Sequence, residues 1–291
     1  MRGRFPHPAL PYVVYTDLDG TLLDHDSYSC EAARPALVEL QDLHVPVVPV
    51  TSKTLGEVQH LLARRLHMRS PVIAENGGVI ALPNGYFPVL HGYQPAQNYV
   101  VRQTAPSYEF ITTVLGNIRQ QHGFVFHGFN DMSNEEVAML TGLSVEEAVR
   151  AKWRRCSEPL LWQDSATRLD EFRHLTETEG LSLTQGGRFL HVMGDIDKGA
   201  AIREMNKLFY RFGLPDISTL ALGDSPNDLP MLQAADIAVV IRRKDGNYLQ
   251  MDNFEPAVIT EQPGPEGWNA FFQEFLQQPE NFPCHTRTAH G

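Results

Sequence analysis

The sequence contains few cysteines and no long apolar run. Its three cysteines, Cys30, Cys156 and Cys284, are far apart and form no Cys-x-x-Cys pair. The spacing therefore predicts neither a disulfide framework nor a structural zinc site. No apolar stretch approaches the roughly 20 residues that a membrane helix needs, and the N-terminus has no secretory signal pattern. We therefore expect a protein of the reducing cytoplasm with no membrane partner.

Positive charge is also in short supply. Lysine and arginine total 24 against 35 aspartates and glutamates, which gives a formal net charge of −11. Such a surface repels nucleic acid and anionic membranes, so no polyanionic partner is expected. An anionic substrate would need a local cluster of positive charge, including a metal ion. The 291 residues, 42% of them hydrophobic, suffice for one large globular domain or two smaller ones.

The first 80 residues predict a parallel sheet. Runs rich in β-branched residues at 12–15, 45–50 and 71–74 predict strands, and the segments between them have helical apolar spacing. Thr54 and Glu57 have the spacing of a capping box that opens the second helix. Alternating strands and helices indicate a parallel sheet, whose ligands lie at the carboxyl ends of the strands. Each predicted strand ends there in polar residues.

The middle of the chain is organised differently. Residues 83–123 are rich in turn residues, and residues 181–192 predict a β-hairpin. Helices are predicted to begin near Ser107, Ser133, Ser144 and Ser165. Parallel-sheet patterning resumes after Asp197, with strands at 219–222 and 237–241. The sequence thus predicts an α/β fold: a Rossmann-like parallel-sheet core, residues 1–84 and 193–291, with an inserted α+β cap domain, residues 85–192.

Acidic residues follow two predicted core strands. Asp17 and Asp19 come directly after the first strand, and Asp224 and Asp228 follow the strand at 219–222. Aspartate also favours turns for conformational reasons alone. Two such clusters at the same sheet edge nevertheless favour a site for Mg²⁺, which prefers oxygen ligands.

Phosphoryl transfer needs a nucleophile, groups that neutralise the phosphoryl oxygens, and a proton for the leaving oxygen. An aspartate can act as the nucleophile through an aspartyl-phosphate. Thr51 and Lys198 supply a hydroxyl and a compact positive charge that can hold the phosphoryl oxygens.

Four segments resemble, in order, the four motifs of the haloacid dehalogenase (HAD) superfamily: Asp17-Leu18-Asp19-Gly20-Thr21, Thr51, Lys198 and Gly223-Asp224-Ser225-Pro226-Asn227-Asp228. The resemblance implies Asp17 as the nucleophile and Asp19 as the general acid and later base. It implies Mg²⁺ held by Asp17, the Asp19 main-chain carbonyl and Asp224, with Asp228 orienting the metal shell. The insertion resembles the C2B cap of the Cof-type branch, which usually admits small phosphorylated metabolites.

A closer resemblance covers nearly the whole chain and is to the mannosyl-3-phosphoglycerate phosphatase family. It is carried by Thr51-Ser52-Lys53-Thr54, Glu75-Asn76-Gly77, Arg155-Cys156-Ser157-Glu158-Pro159, Gly186-Gly187-Arg188-Phe189 and Asp197-Lys198-Gly199. That family produces mannosylglycerate, so the resemblance implies a small phosphorylated sugar-glycerate substrate. The alternatives are glucosyl-3-phosphoglycerate or another sugar phosphate as substrate, a phosphosugar mutase, and a non-catalytic binding protein.

The same segments supply the candidate substrate-binding residues. These are Ser52, Lys53, Asn76, Gly77, Arg155, Glu158, Gly187, Arg188 and Asn227. Several have a structural alternative: Arg188 could be an exposed turn arginine, and an arginine of the 154–155 pair could form a surface ion pair with Glu158. Lys53 precedes a predicted helix, where the helix dipole disfavours a cation, and this conflict favours a functional role.

Overall fold

A five-stranded parallel sheet with β1 (Tyr12–Thr16) beside its centre organises the core. The computed structural model describes residues 8, 10–88, 90–185, 189–214, 216–251, 254–256 and 258–282. The other strands of this sheet are β2 Val47–Pro49, β11 Ser218–Gly223, β12 Ile237–Arg242 and β13 Val258–Pro263. They lie in the order β13-β12-β11-β1-β2, and every pairing is parallel. Val14 packs on one face of β1 and Tyr15 on the other, which explains why the strand is apolar throughout.

Helices cover both faces of this sheet. The described helices are α1 Arg34–Asp42, α2 Leu55–Leu61, α3 Tyr108–His122, α4 Asn134–Thr141, α5 Val145–Lys152, α6 Ala166–Thr178, α7 Lys198–Arg211, α8 Leu229–Ala234 and α9 Gly264–Phe275. Residues of α1, α2 and α9 pack in the apolar cluster on the Val14 side, and residues of α7 and α8 pack on the Tyr15 side. Among the described helices, none combines the length and apolarity needed to cross a bilayer.

Two four-stranded antiparallel sheets complete the described fold. The first has the order β3-β4-β6-β5, formed by β3 Val72–Ala74, β4 Val79–Pro83, β5 Gln94–Ala96 and β6 Tyr99–Gln103. The second has the order β7-β8-β10-β9, formed by β7 Phe126–Gly128, β8 Ser157–Trp162, β9 Leu181–Gln185 and β10 Leu190–Gly194. Apolar residues of α3 and α6 pack with those of this second sheet.

The α/β class and the parallel-sheet core are confirmed, and so are the predicted helix starts. Ser133 and Ser144 form capping boxes with Glu136 and Glu147, and the hairpin strands β9 and β10 pair antiparallel. The limits of the two predicted domains, 1–84 with 193–291 and 85–192, stay a prediction.

The strand predicted at residues 71–74 is present, but the prediction that it belongs to the parallel sheet is wrong. Within the described part of the chain, β3 pairs antiparallel with β4 and joins the parallel sheet only through a bridge between Val50 and Ile73. Glu75 and Asn76, with positive φ, and then Gly77 reverse the chain immediately after β3. Because the chain folds back on itself there, the hairpin partner β4 takes up the pairing.

Thr54 connects α2 with α5. Its hydroxyl oxygen accepts a hydrogen bond from the Glu57 N–H at 3.2 Å, and the same hydroxyl donates to the Arg150 carbonyl of α5 at 2.9 Å. The side chain is fully buried. Thr54 is therefore both a helix cap and a contact between segments that are about 100 residues apart in sequence.

We expect Thr54→Val to lower the free energy of unfolding by about 1–2 kcal/mol, since it loses both hydrogen bonds without changing the shape of the side chain. Thr54→Ser keeps both bonds and serves as the conservative control. Ser144→Ala removes an exposed cap alone and should cost about 1 kcal/mol. Urea denaturation would measure all three. A loss in Thr54→Val no larger than that in Ser144→Ala would contradict a contribution from the Arg150 contact.

Candidate active site

Three aspartates meet at the carboxyl end of the parallel sheet. Asp17 and Asp224 follow the adjacent strands β1 and β11, and Asp228 ends the short helical turn Pro226–Asp228. All three are buried, and one carboxylate oxygen from each lies within 4.8 Å of the other two. Hard oxygen donors at this spacing could hold a divalent metal ion.

Burial of these carboxylates makes their negative charge costly. Burial raises the pKa of Asp17 well above its ordinary value, and the charges of Asp228 and Asp224 add to the effect, against Lys198. Burial raises the pKa of Asp224 to about 7, and Asp228 again adds to it. A cation among the three would relieve this repulsion, so the electrostatics of the cluster fit a metal site.

Lys198 neutralises part of this charge. It lies fully buried at the first position of α7, and its Nζ donates to Asp17 Oδ1 and to Asp228 Oδ1, each at 2.6 Å. Burial lowers the pKa of Lys198, but the two carboxylates more than offset burial and hold it above its usual value. Asp197 fixes the start of α7 as its N-cap, as predicted, accepting from the Ala200 N–H at 2.7 Å.

The turn after β11 is shaped around Asp228. Asp228 Oδ2 accepts hydrogen bonds from the main-chain N–H groups of Asp224, at 3.1 Å, and Ser225, at 3.0 Å. A Cβ at Gly223 would lie 2.5 Å from Asp228 Cβ, so a glycine is required at that position. Asn227 extends the turn outward, donating from Nδ2 to Asn76 Oδ1 at 3.1 Å.

Asp19 lies beside the cluster and pairs with a different lysine. Its Oδ2 lies 2.7 Å from Lys53 Nζ, which also lies over the Tyr28 ring at 5.0 Å from the centroid. Asp19 Oδ1 is buried and has no hydrogen-bond partner among the described residues. Gly20 has φ +83° and turns the chain where a Cβ would lie 3.0 Å from Asp224 Oδ2.

The segment after β2 joins the site through its main chain. Thr51 is buried, and its hydroxyl oxygen accepts from the Lys53 N–H at 3.2 Å. The Asn76 N–H donates to the Thr51 carbonyl at 2.9 Å. Gly77 has φ +108°, and a Cβ there would lie 2.5 Å from the Asp197 carbonyl oxygen. These contacts place the chain after β2 and β3 next to the start of α7.

A cavity of about 690 Å³ opens above these groups. Its lining from the loops after the parallel strands includes Asp17, Asp19, Ser52, Lys53, Asp224 and Asn227. Its lining from the inserted segment includes Phe129, Leu143, Arg154, Pro159, Phe189 and His191. The cavity therefore has an acidic floor, and its opposite wall combines apolar side chains with the polar side chains of Thr141, Arg154, Gln185 and His191.

Four described residues that were predicted to bind substrate, Asn76, Gly77, Arg155 and Glu158, do not line this cavity. The Arg155 side chain is exposed, whereas the neighbouring Arg154 is buried, lines the cavity and donates to the Ser52 carbonyl at 2.7 Å. Ala148 and Ala151 are buried on α5, and Arg154 continues their spacing of three. That helical period is the signal that could have distinguished Arg154 from Arg155.

Glu158 is buried on the side of β8 away from the cavity. Its Oε2 accepts from the Tyr108 hydroxyl and its Oε1 from the Asn130 N–H, each at 2.7 Å. Burial raises the pKa of Glu158 to about 7. The predicted residues Gly187 and Arg188 lie outside the described residues.

Glu75 is a further buried carboxylate. The sequence analysis names it as part of the Glu75-Asn76-Gly77 motif but predicts no function for it. Its Oε1 accepts from the Arg155 N–H at 2.8 Å, and its Oε2 accepts from the Cys156 N–H at 3.0 Å and the Ser157 hydroxyl at 2.7 Å. It thereby ties the end of β3 to the start of β8. The signal that could have indicated this role is a charged residue placed directly after a buried strand, in the Glu-Asn-Gly turn.

Arg243 and Lys244 line the cavity and were also missed. Arg243 Nε donates to the Asp224 carbonyl at 2.9 Å, and Lys244 Nζ lies 2.7 Å from both Asp24 and Asp26. No motif in the sequence marked them.

Comparison with known proteins gives consistent matches. A family model described as haloacid dehalogenase-like hydrolase matches residues 14–99 and 163–254. A Methanococcoides burtonii protein named glucosyl-3-phosphoglycerate/mannosyl-3-phosphoglycerate phosphatase is 38% identical over 279 residues, covering 94% of this chain and 100% of the relative. A Persephonella marina protein of the same name is 35% identical over 274 residues, with the same coverage of both chains.

Solved structures share the fold at much lower identity. A Thermoplasma acidophilum protein is 19% identical with a TM-score of 0.63, covering 91% of this chain and 98% of its own. A HAD superfamily phosphatase from Bacteroides thetaiotaomicron is 19% identical with a TM-score of 0.62, covering 92% and 95%.

The raised pKa of Glu158 predicts a pH-dependent stability. Because the folded pKa of about 7 exceeds the ordinary value of 4.5, the contribution of Glu158 is fully present below about pH 4.5 and is lost as the pH rises through 7. We expect the wild type to lose about 2.5 kcal/mol from this source between pH 5 and pH 9. The glutamine in Glu158→Gln cannot ionise, and its amide N–H can donate to the Tyr108 hydroxyl oxygen. This variant should therefore lose less stability over the same pH range.

Urea denaturation at pH 5, 6, 7, 8 and 9 would measure this difference, with the exposed Glu177→Gln as the matched control. Parallel stability curves for the wild type and Glu158→Gln would show that Glu158 does not titrate in this range.

Proposed function

The chain belongs to the haloacid dehalogenase-like hydrolases, and we propose that it is a Mg²⁺-dependent phosphatase that hydrolyses mannosyl-3-phosphoglycerate to mannosylglycerate and phosphate. Glucosyl-3-phosphoglycerate is the alternative substrate, because both compounds appear in the name of the two curated relatives. The observation that carries the proposal is the contact of buried Lys198 with Asp17 and Asp228, beside Asp224, since Asp17 and Asp224 line the floor of the cavity. Such a site has a nucleophile, a phosphate-binding cation and a metal site together.

The donor set fits Mg²⁺. Asp17, Asp224 and the main-chain carbonyl of Asp19 would hold the ion, and Asp228 would orient the groups around it. All are hard oxygen donors, and the carboxylates are buried together with one lysine between them. When bound, the ion neutralises negative charge on the phosphoryl oxygens.

Asp17 and Asp19 divide the chemistry in two steps. An Asp17 carboxylate oxygen forms a bond to phosphorus, the bond from phosphorus to the glycerate oxygen breaks, and Asp19 gives that oxygen its proton. A water molecule then attacks phosphorus, Asp19 takes the water's proton, and the bond from Asp17 to phosphorus breaks to release phosphate. The pairing of Asp19 Oδ2 with Lys53 leaves Oδ1, which has no partner among the described residues, for proton transfer.

Lys198 has two functions in this scheme. Its charge opposes the rise in the pKa of Asp17 that burial causes, and so favours the ionised carboxylate that a nucleophile requires. Together with Thr51, it would bind the phosphoryl oxygens as the substrate enters. Ser52, Lys53 and Asn227 line the cavity beside these groups, and Asn76 orients Asn227, so we propose all four as substrate-positioning residues.

Asp17→Asn should abolish phosphate release. We expect kcat with mannosyl-3-phosphoglycerate and Mg²⁺ to fall by about a thousandfold or more, because the amide is a poor nucleophile. The exposed Asp195→Asn is the charge-matched control. Phosphate release would be assayed with mannosyl-3-phosphoglycerate, glucosyl-3-phosphoglycerate and mannose 1-phosphate. Full activity in Asp17→Asn would show that Asp17 is not the nucleophile. Equal rates with mannose 1-phosphate and mannosyl-3-phosphoglycerate would contradict the narrow substrate assignment.

Mg²⁺ should stabilise the folded protein through the aspartate cluster. At a concentration about 100 times its Kd, a bound ion adds about 2.7 kcal/mol to the free energy of unfolding. Calorimetry with and without MgCl₂ should show a rise in melting temperature that Asp224→Asn loses and the exposed Asp216→Asn retains. An equal rise in both variants would place the ion elsewhere.

A further inference from the structure

The cavity contains a buried histidine that the proposed chemistry does not use. His191 lies in β10, lines the cavity and is 7% exposed. Its Nδ1 is buried and has no hydrogen-bond partner among the described residues. Leaving such a nitrogen unpaired costs free energy, so a partner that arrives with the substrate would satisfy it.

The register of β10 sets the direction of this side chain. Leu190 and Val192, on either side, pack in the apolar cluster formed with α3 and α6. His191 therefore faces the opposite side of the sheet, where its cross-strand neighbours are Pro159 of β8 and Thr184 of β9. Pro159 also lines the cavity. Strand pairing alone does not require a polar side chain at this position.

The surroundings keep His191 uncharged. Burial lowers the pKa of His191 to about 3, and the positive charges of Arg154 and Lys198 act in the same direction. A neutral imidazole has one nitrogen that donates and one that accepts, which suits a hydroxyl group better than a phosphate or a carboxylate.

The position of the other groups indicates which part of a substrate reaches His191. The phosphoryl group belongs on the aspartate floor, and a glycerate carboxylate requires a cation. The wall around His191 is formed by apolar side chains, among them Phe129 and Phe189, whose rings lie 5.2 Å apart. The same wall also includes the uncharged polar side chains of Thr141 and Gln185 beside the neutral His191, and this mixture of apolar and hydrogen-bonding groups matches the mixed surface of a sugar ring.

We infer that His191 is a specificity-determining residue whose Nδ1 hydrogen-bonds a hydroxyl of the glycosyl group. The inference rests on the proposed function, since only a glycosylated phosphoglycerate presents that hydroxyl. His191 therefore distinguishes the glycosylated substrate from the same phosphoglycerate without its sugar. It takes no part in the bond-breaking steps.

The experiment compares kcat/KM for mannosyl-3-phosphoglycerate and for 3-phosphoglycerate, with p-nitrophenyl phosphate as a probe of the catalytic groups alone. His191→Leu removes the ring nitrogens at similar volume and should lower kcat/KM for the glycosylated substrate by about 10- to 100-fold. The two other substrates should change by no more than about twofold, as expected for a lost contact with the sugar alone. His191→Asn places an amide near the position of Nδ1 and should restore most of the preference. Thr184→Val, at the cross-strand neighbour, is the matched control.

The outcomes separate the two proposals. If the wild type does not prefer the glycosylated substrate to 3-phosphoglycerate, the proposed function fails and the role of His191 fails with it. If the wild type has the preference and His191→Leu keeps it, only the role of His191 fails. An equal loss of kcat/KM for all three substrates would show that His191 has a structural role and no role in specificity. His191→Val, which suits a strand, gives the same test if the leucine variant does not fold.

Discussion

The arrangement of the site depends on the burial of one lysine between two aspartates. Lys198 Nζ contacts Asp17, 181 residues away, and Asp228, 30 residues away, each at 2.6 Å. A buried charge without a partner is strongly destabilising, so the fold must bring β1, the start of α7 and the turn after β11 together. The same contact opposes the rise in the pKa of Asp17 that burial causes. The stability of the fold and the proposed nucleophile therefore depend on the same ion pair. Asp224 adds a third carboxylate, so the cluster keeps a net negative charge that can bind a cation.

A second buried carboxylate holds the inserted segment over that site. Glu75 accepts three hydrogen bonds from residues 155–157, and Thr54 reaches the Arg150 carbonyl. Both come from loops that follow strands at the floor of the cavity. The backbone leading into β8 is thus fixed relative to the catalytic groups, and Arg154 is held with its guanidinium against the Ser52 carbonyl. Hydrogen bonds, as well as apolar packing, therefore join the two sides of the cavity.

The sequence predicts those parts of the site that follow from local rules. Capping boxes at Thr54, Ser133 and Ser144 depend on residues three apart, and the meeting of Asp17 with Asp224 follows from parallel strands ending at one sheet edge. Residues of the inserted segment are harder because a shift of one position changes the face of the element. Arg154 and not Arg155 lines the cavity, and Glu158 faces away from it, for this reason. The pairing of β3 with β4 depended on the reversal at 75–77, which the β-branched pattern of the strand does not encode.

The charges around the cavity explain why a metal ion and a neutral histidine both belong in this site. Among the described residues, the lysines and arginines of the cavity already face protein carboxylates: Lys53 faces Asp19, Arg154 faces Glu75, Arg243 faces Asp224, and Lys244 faces Asp24 and Asp26. In a chain of net charge −11, a phosphorylated substrate would have to compete with those carboxylates for each cation. A divalent ion on the aspartate cluster supplies positive charge that no existing pair must give up. Recognition of the uncharged part of the substrate then requires a group outside this network of ion pairs. His191, held neutral by burial and by the charges of Arg154 and Lys198, is such a group.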